Sequence, residues 1–167
     1  RTSRSFVVGR PGFNPTNLIV ELYGSTDAYV GTAEGSSLFH LIINKSGREG
    51  DQTRSNTIIG TERLAILGNL MISAGNFSAP QILFINGNWL NLMGPDAFIE
   101  GSGTVVFQGS EHQYCSTENF NNLRLAKVGG SLRIQTAVVS CNSYEWLSGA
   151  LDLIVGNFTA LDLAQDG

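Results

Sequence analysis

The residues of this chain that could do more than pack are two cysteines, two histidines, fourteen carboxylates and a scatter of aromatics. Cys115 and Cys141 have 25 residues between them. If the intervening chain brings them onto neighbouring strands, an oxidising compartment would favour a disulfide. Two buried thiols filling apolar slots are the alternative. With no C-x2-C pair and only two distant histidines, the set has no zinc signature and no metal is expected. His40 and His112 could each act as a base, but neither sits in a nucleophile-elbow pattern beside Ser or Cys. Ordinary surface or half-buried histidines are the reading, and no catalytic residue is assigned.

Carboxylates on one face could serve as general acid and base on a polysaccharide, or as calcium ligands. Glu21, Asp27, Glu111 and Asp152 fall near expected strand ends, yet no acidic pair recurs. Asp162-x-x-x-Asp166-Gly167 lacks the spacing of a calcium loop. Trp89, Trp146, Tyr23, Tyr29, Tyr114 and Tyr144 would make a sugar-stacking platform if several faced outward, although aromatics in strands are usually core or cross-strand partners. No cofactor is expected.

The elements that must position these residues read as strands. Period-two alternation appears at Leu18 to Tyr23, Leu38 to Ile43, Leu70 to Ser73, Ile82 to Ile85, Thr104 to Phe107, Leu123 to Leu125, Leu132 to Ile134 and Leu151 to Leu153. Turn clusters such as Gly24-Ser25-Thr26-Asp27, Gly47 to Asp51 and Gly101-Ser102-Gly103 separate them. The best helical window, Thr61 to Leu67, is too short to stand alone. Charged residues are only 14%, hydrophobic ones 42%, and glycine stands at 20 of 167, a balance that favours folding over disorder. A net charge of −4 with no basic stripe argues against nucleic acid as a partner. No apolar run reaches the length of a membrane helix. A start at Arg1 is compatible with a cleaved leader or with a piece of a longer protein.

An internal repeat organises the chain. Gly75-Asn76-Phe77-Ser78-Ala79 returns as Gly156-Asn157-Phe158-Thr159-Ala160 at an offset of 81, and Leu70 and Ile72 return as Leu151 and Leu153. Leu41-x-Ile43-x-Lys45-x-Gly47 matches Leu123-x-Leu125-x-Lys127-x-Gly129 at 82, and Leu22-x-Gly24-Ser25 matches Phe107-x-Gly109-Ser110 at 85. Residues 1–16 then form an N-terminal extension, 17–99 a first unit and 100–167 a second, in one continuous body. The fold class expected is all-β, a β-solenoid built from two repeats of about 80 residues, each supplying several rungs. A β-sandwich is the alternative. Lys45 and Lys127, each ahead of a glycine, would keep strand margins soluble.

The succession Gly103-Thr104-Val105-Val106-Phe107-Gln108-Gly109-Ser110, Phe120-Asn121-Asn122-Leu123-Arg124-Leu125-Ala126-Lys127 and Leu147-Ser148-Gly149-Ala150-Leu151-Asp152-Leu153 resembles repeats in large surface and secreted proteins of Bacteroidetes and related phyla. Those proteins often carry a sorting signal for type IX secretion, and no such domain is visible here. The resemblance implies an exported, non-catalytic, β-rich or solenoid stalk at the cell surface or outside the cell.

A stacked-strand body has two ends whose backbone groups need partners. The expected partners are neighbouring repeats of a longer chain or a second copy stacked head to tail. Phe6, Val7 and Val8, between flexible flanks, are a candidate strand for donation to a neighbour. The expected function is that of a non-enzymatic structural protein, a fibre or surface-assembly subunit or an adhesin spacer. A carbohydrate-binding module and a polysaccharide-degrading β-helix enzyme are the alternatives.

Overall fold

A computed structural model describes residues 2–46, 57–135, 137–154 and 156–164. The turn expected at Gly47 to Asp51, and Asp166 with Gly167, lie outside the described residues. In chain order the strands are β1 (Phe6–Val8), β2 (Ile19–Tyr23), β3 (Ala28–Thr32), β4 (His40–Asn44), β5 (Thr57–Gly60), β6 (Arg63–Ile66), β7 (Leu70–Ala74) and β8 (Asn76–Ser78). They continue as β9 (Ile82–Ile85), β10 (Trp89–Asn91), β11 (Phe98–Ile99), β12 (Thr104–Gly109), β13 (Gln113–Tyr114), β14 (Glu118–Ile134), β15 (Val138–Leu153) and β16 (Asn157–Ala164). Among the described residues the only helix is a 3-10 turn at Pro95–Ala97. The window 61–67, the best helical candidate in the sequence, instead contains the strand β6, in which Leu64 and Ile66 bury in parallel register with Leu83 and Ile85.

Every ladder among the described strands is parallel, each strand pairing with its counterpart one turn away. This is a β-solenoid of about seven turns, not a sandwich of antiparallel sheets. Three sheets form its faces. The first runs β1-β3-β5-β8-β11, the second is built on β6, β9 and β12, and the third runs β2-β4-β7-β10. From β5 onward the chain visits them in the order first, second, third, and begins again. The long strands β14 and β15 bend around the corners: residues 122–127 of β14 pair with β12, while Leu132 and Arg133 pair with β13. The turn is taken where the register between β14 and β15 breaks, at Leu125/Ala126 and Ala126/Ser131.

The structural unit is thus a single turn. Along the second face, Arg63, Ile82, Thr104, Asn122, Ser143 and Asp162 stand in register, separated by 19, 22, 18, 21 and 19 residues. The offset of 81 seen in the sequence spans several such turns. The Leu70 and Leu151 blocks both lie on the third face, in β7 and the end of β15. The matches at 82 and 85 join unlike faces: Leu41 and Leu22 belong to the third, Leu123 and Phe107 to the second.

Alternation explains the core. In a strand every second side chain points inward, so stacked turns make columns of buried residues. On the second face one column is Leu64, Leu83, Val105, Leu123 and Tyr144, and the next is Ile66, Ile85, Phe107 and Leu125. On the third, Val20, Leu41, Leu70, Trp89 and Cys115 line up. Each inward aliphatic contributes ~1.5–3 kcal/mol of burial, and no single turn could bury its own.

The donation expected for Phe6, Val7 and Val8 is overturned. They pair in parallel with Val30, Gly31 and Thr32 of the same chain, and Phe6 and Val8 pack on the core, so β1 is the solenoid's own strand.

Candidate functional site

The cysteines stand on different columns. Cys115 bridges to Trp89 on the third face, and Cys141 pairs with Phe120 at the start of β14. Both are buried free thiols, so the disulfide expected between Cys115 and Cys141 is not formed. Burial pushes the Cys141 thiol up to about 11 and Cys115 well above its ordinary value, the latter raised further by the Glu118 carboxylate. Since the thiolate is the reactive form, both are expected to react with a thiol reagent such as DTNB at less than about one-hundredth of the unfolded rate. Denaturation should then release both thiols, and prompt labelling of either in the native protein would contradict their burial.

Each histidine serves the backbone of the next turn. Asn69 N–H donates to His40 Nδ1 at 2.8 Å, and Ser131 N–H donates to His112 Nδ1 at 3.1 Å. Asparagines do the same work in the column of His40: Asn88 N–H donates to Asn69 Oδ1, and Tyr114 N–H donates to Asn88 Oδ1, each at 2.8 Å. The corners before β7, β10 and β13 are therefore each satisfied by a side chain from the turn before, which a chain leaving its sheet requires. Sequence inspection does not reveal this, because His and Asn look unrelated until the turns are stacked.

A polar group surrounds His112. Its Nδ1 is 2.9 Å from Ser131 Oγ, and Arg133 reaches His112 Nε2 (3.0 Å), the Tyr114 hydroxyl (3.3 Å) and Asp152 (3.4 Å). Ser131 is buried, and its N–H already occupies the imidazole nitrogen that its hydroxyl faces. The arrangement has the geometry of a backbone cap with an ion pair over it. The other singled-out carboxylates are dispersed: Glu21 accepts from Asn44 Nδ2 (3.0 Å), Asp27 from Thr57 N–H (2.9 Å), and Glu111 from the Ser110 hydroxyl (3.3 Å). Among the described residues no three His, Cys, Asp or Glu side chains group as metal ligands.

The two lysines overturn the expectation of soluble strand margins. Lys45 is 0% and Lys127 2% exposed. Lys45 Nζ donates to the Tyr23 carbonyl at 3.0 Å; Lys127 Nζ donates to Glu111 O (2.8 Å) and Gln113 Oε1 (2.6 Å). Gln113 in turn donates to the Ile85 and Gly87 carbonyls, so the amide and the ammonium together satisfy a corner from within. Burial lowers both lysines' pKa, against the raising influence of Asp27 on Lys45 and of Glu111 on Lys127.

Glu118 is the residue furthest from what its position asks. It occupies an inward place aligned with Val139 and is 0% exposed. Its Oε2 accepts from Trp89 Nε1 and Asn91 Nδ2, each at 2.8 Å, and its Oε1 accepts from Asn119 N–H at 3.1 Å. Burial, and to a smaller degree the charge of Glu100, push its carboxyl up to about 7 in spite of these bonds.

The aromatics divide. Trp89 is wholly buried, with Phe98, Phe107 and Phe120 around it, whereas Tyr23, Tyr29 and Trp146 are exposed. Trp146 stands at an inward position, in register with the buried Leu125, yet is 52% exposed. Leu153, aligned with the buried Ile134, is 48% exposed. Tyr144, Trp146, Gly149, Ala150 and Leu151 line a cavity of about 410 Å³ at this end. A shallower groove of about 500 Å³ runs along the corner between the first and second faces, lined by Glu34, Glu62, Arg63 and Thr61 among others. Arg63 there is held by the Thr32 hydroxyl and by the Ala33 and Ser36 carbonyls.

The architecture defines a class, the parallel β-solenoid. No family model, curated protein or solved structure matches the chain.

Proposed function

We propose that this protein is a non-catalytic structural module of an extracellular or cell-surface assembly, a fibre subunit or the spacer of an adhesin. The observation that carries the reading is the surface beside the edge strand β16, where Trp146 and Leu153 of β15 are half exposed although the residues in register with them, Leu125 and Ile134, are buried. Interior side chains of a solenoid are covered by a further turn, whether of the same polypeptide or of a neighbouring copy, and the open edge of β16 offers the parallel pairing it would need. The sequence resemblance to surface and secreted repeats supports placement outside the cell.

Electron microscopy and light scattering on the full chain test the reading. Ordered fibres or end-to-end oligomers are expected, and the double variant Trp146→Arg/Leu153→Arg should reduce them at least tenfold at equal concentration. Monodisperse particles unaffected by that variant would count against it. If such particles also bound polysaccharide, the alternative of a carbohydrate-binding module would gain, with the groove beside Glu34, Glu62 and Arg63 as its seat.

A further inference from the structure

The two ends of the winding each leave a strand with one unpaired edge, and both edges lie on the same face. β1 is the outermost strand of the first sheet, and β16 is the outermost strand beside β15. Residues 118–120 precede the second-face stretch of β14 as β11 precedes β12, and Phe120 packs on Phe98 of β11. With 138–141 and 157–160 in register on them, these residues carry the first face onward. Along a strand, the N–H and C=O of one residue point to one side and those of the next residue to the other. Val8 O accepts from Ala33 N–H at 2.7 Å, so the N–H and C=O of Val7 face the open edge. At the far end Asn157 N–H donates to Ala137 O at 3.0 Å, so Phe158 and Ala160 turn theirs to the open edge of β16. Side chains keep the matching parity: Phe6, Val8, Phe158 and Ala160 pack on the core, whereas Val7 and Thr159 are exposed.

Charge is divided between the ends as well. Before Glu21 the charged residues of the sequence are Arg1, Arg4 and Arg10; after Arg133 they are Glu145, Asp152, Asp162 and Asp166. Glu145 and Asp152 are paired with Arg124 and Arg133 of their own chain. Arg10 and Asp162 are exposed, and neither joins a salt bridge among the described residues. Arg10 lies two residues beyond Val8, and Asp162 two residues beyond Ala160.

We propose that copies of this chain join head to tail through their first faces: β16 of one adds in parallel to β1 of the next, with Phe158 on Phe6, Thr159 on Val7, Ala160 on Val8, and Asp162 set against Arg10. The proposal rests on the reading of the β16 end as an assembly surface and names what that surface meets. In this register Val7 N–H donates to Phe158 O and Ala160 N–H donates to Val7 O, the same offset by which Val8 O meets Ala33 N–H and Asn157 N–H meets Ala137 O within the chain. A slip of one residue would set inward side chains against outward ones. A slip of two would part Asp162 from Arg10. β1 stays in its own solenoid and offers only its second edge. Because the two edges belong to different surfaces, the contact does not close on itself and repeats along one axis.

Sedimentation velocity and electron microscopy on the full chain test the register. Val7→Pro removes an N–H that pairs with nothing inside the fold, at an edge position where proline is tolerated. It should leave the urea midpoint near that of wild type and weaken end-to-end association about tenfold. Arg10→Asp places two carboxylates face to face and should weaken association by a similar factor; adding Asp162→Arg should restore it to within about threefold of wild type. Association that ignores Val7→Pro and Arg10→Asp yet falls with Trp146→Arg/Leu153→Arg overturns the register and leaves the β16 end standing as an assembly surface. Failure of Asp162→Arg to restore what Arg10→Asp removes overturns the register too. A wild-type chain that stays monomeric at every concentration overturns both.

Discussion

Trp89→Ala is expected to lower the unfolding free energy by about 5 kcal/mol or more, close to the whole stability of many domains of this size. Removing a fully buried indole alone costs about 3–5 kcal/mol through lost transfer energy and the cavity left behind. Here the indole touches Phe98 (ring centroids 4.7 Å apart) and Phe120 (5.1 Å), both nearly edge to face, so the loss spreads over two turns. The Nε1–H is also one of two side-chain donors on Glu118 Oε2, and a buried carboxyl deprived of a partner adds ~1–3 kcal/mol. Trp89→Phe separates the parts, keeping an aromatic filler while removing the donor, and should cost about 2 kcal/mol. Urea unfolding followed by circular dichroism measures both; a Trp89→Ala variant within about 1 kcal/mol of wild type would show that the aromatic cluster is not the centre of the core.

Gly87→Val should be nearly as damaging, for a reason of approach rather than of volume. A Cβ at this position would meet the Gly68 carbonyl group 2.4 Å away and Asn69 Oδ1 at 2.6 Å. Those atoms belong to the preceding turn, and Gly87 N–H donates to the same Gly68 O at 3.0 Å. Backbone cannot yield as a side-chain tip does, so the two turns must part. That separation endangers the Asn88-to-Asn69 bond and the Gln113 bonds to the Ile85 and Gly87 carbonyls beside it. A loss of about 3 kcal/mol or more is expected, with Gly87→Ala only modestly milder, read as a fall in the urea midpoint. Gly12 makes the comparison: nothing lies near its Cβ direction, but its φ of 87° disfavours a side chain, so Gly12→Ala should cost ~1–2 kcal/mol.

What the sequence disclosed depended on how much of each turn alternates. Ile82–Ile85 and Thr104–Gly109 carry plain period-two patterns, and both strands are where alternation puts them. β8 and β11 are three and two residues long, too short for a period to register, and they are defined by the turns stacked on either side. The repeat was visible only at 81 residues because the corners differ in length and content between neighbouring turns, from the tight passage between β7 and β8 to the excursion at 92–97. The interior polar residues were out of reach for another reason. Lys45, Lys127, Gln113 and Glu118 are types that normally face water, and only three-dimensional stacking shows that each answers a backbone or side-chain group inside. Cys115 and Cys141 illustrate the limit of spacing arguments. Twenty-five residues is somewhat more than one turn, which places the thiols on different faces instead of one above the other.

Because strands pair only with the turn before and the turn after, the molecule is a linear chain of nearest neighbours, and its loss of structure should be gradual rather than all-or-none. Melting would begin by fraying at the terminal windings and travel inward, so a calorimetric enthalpy would exceed the van't Hoff value taken from the same transition. The aromatic knot around Trp89 lies midway along that chain, where a front advancing from either end would arrive last.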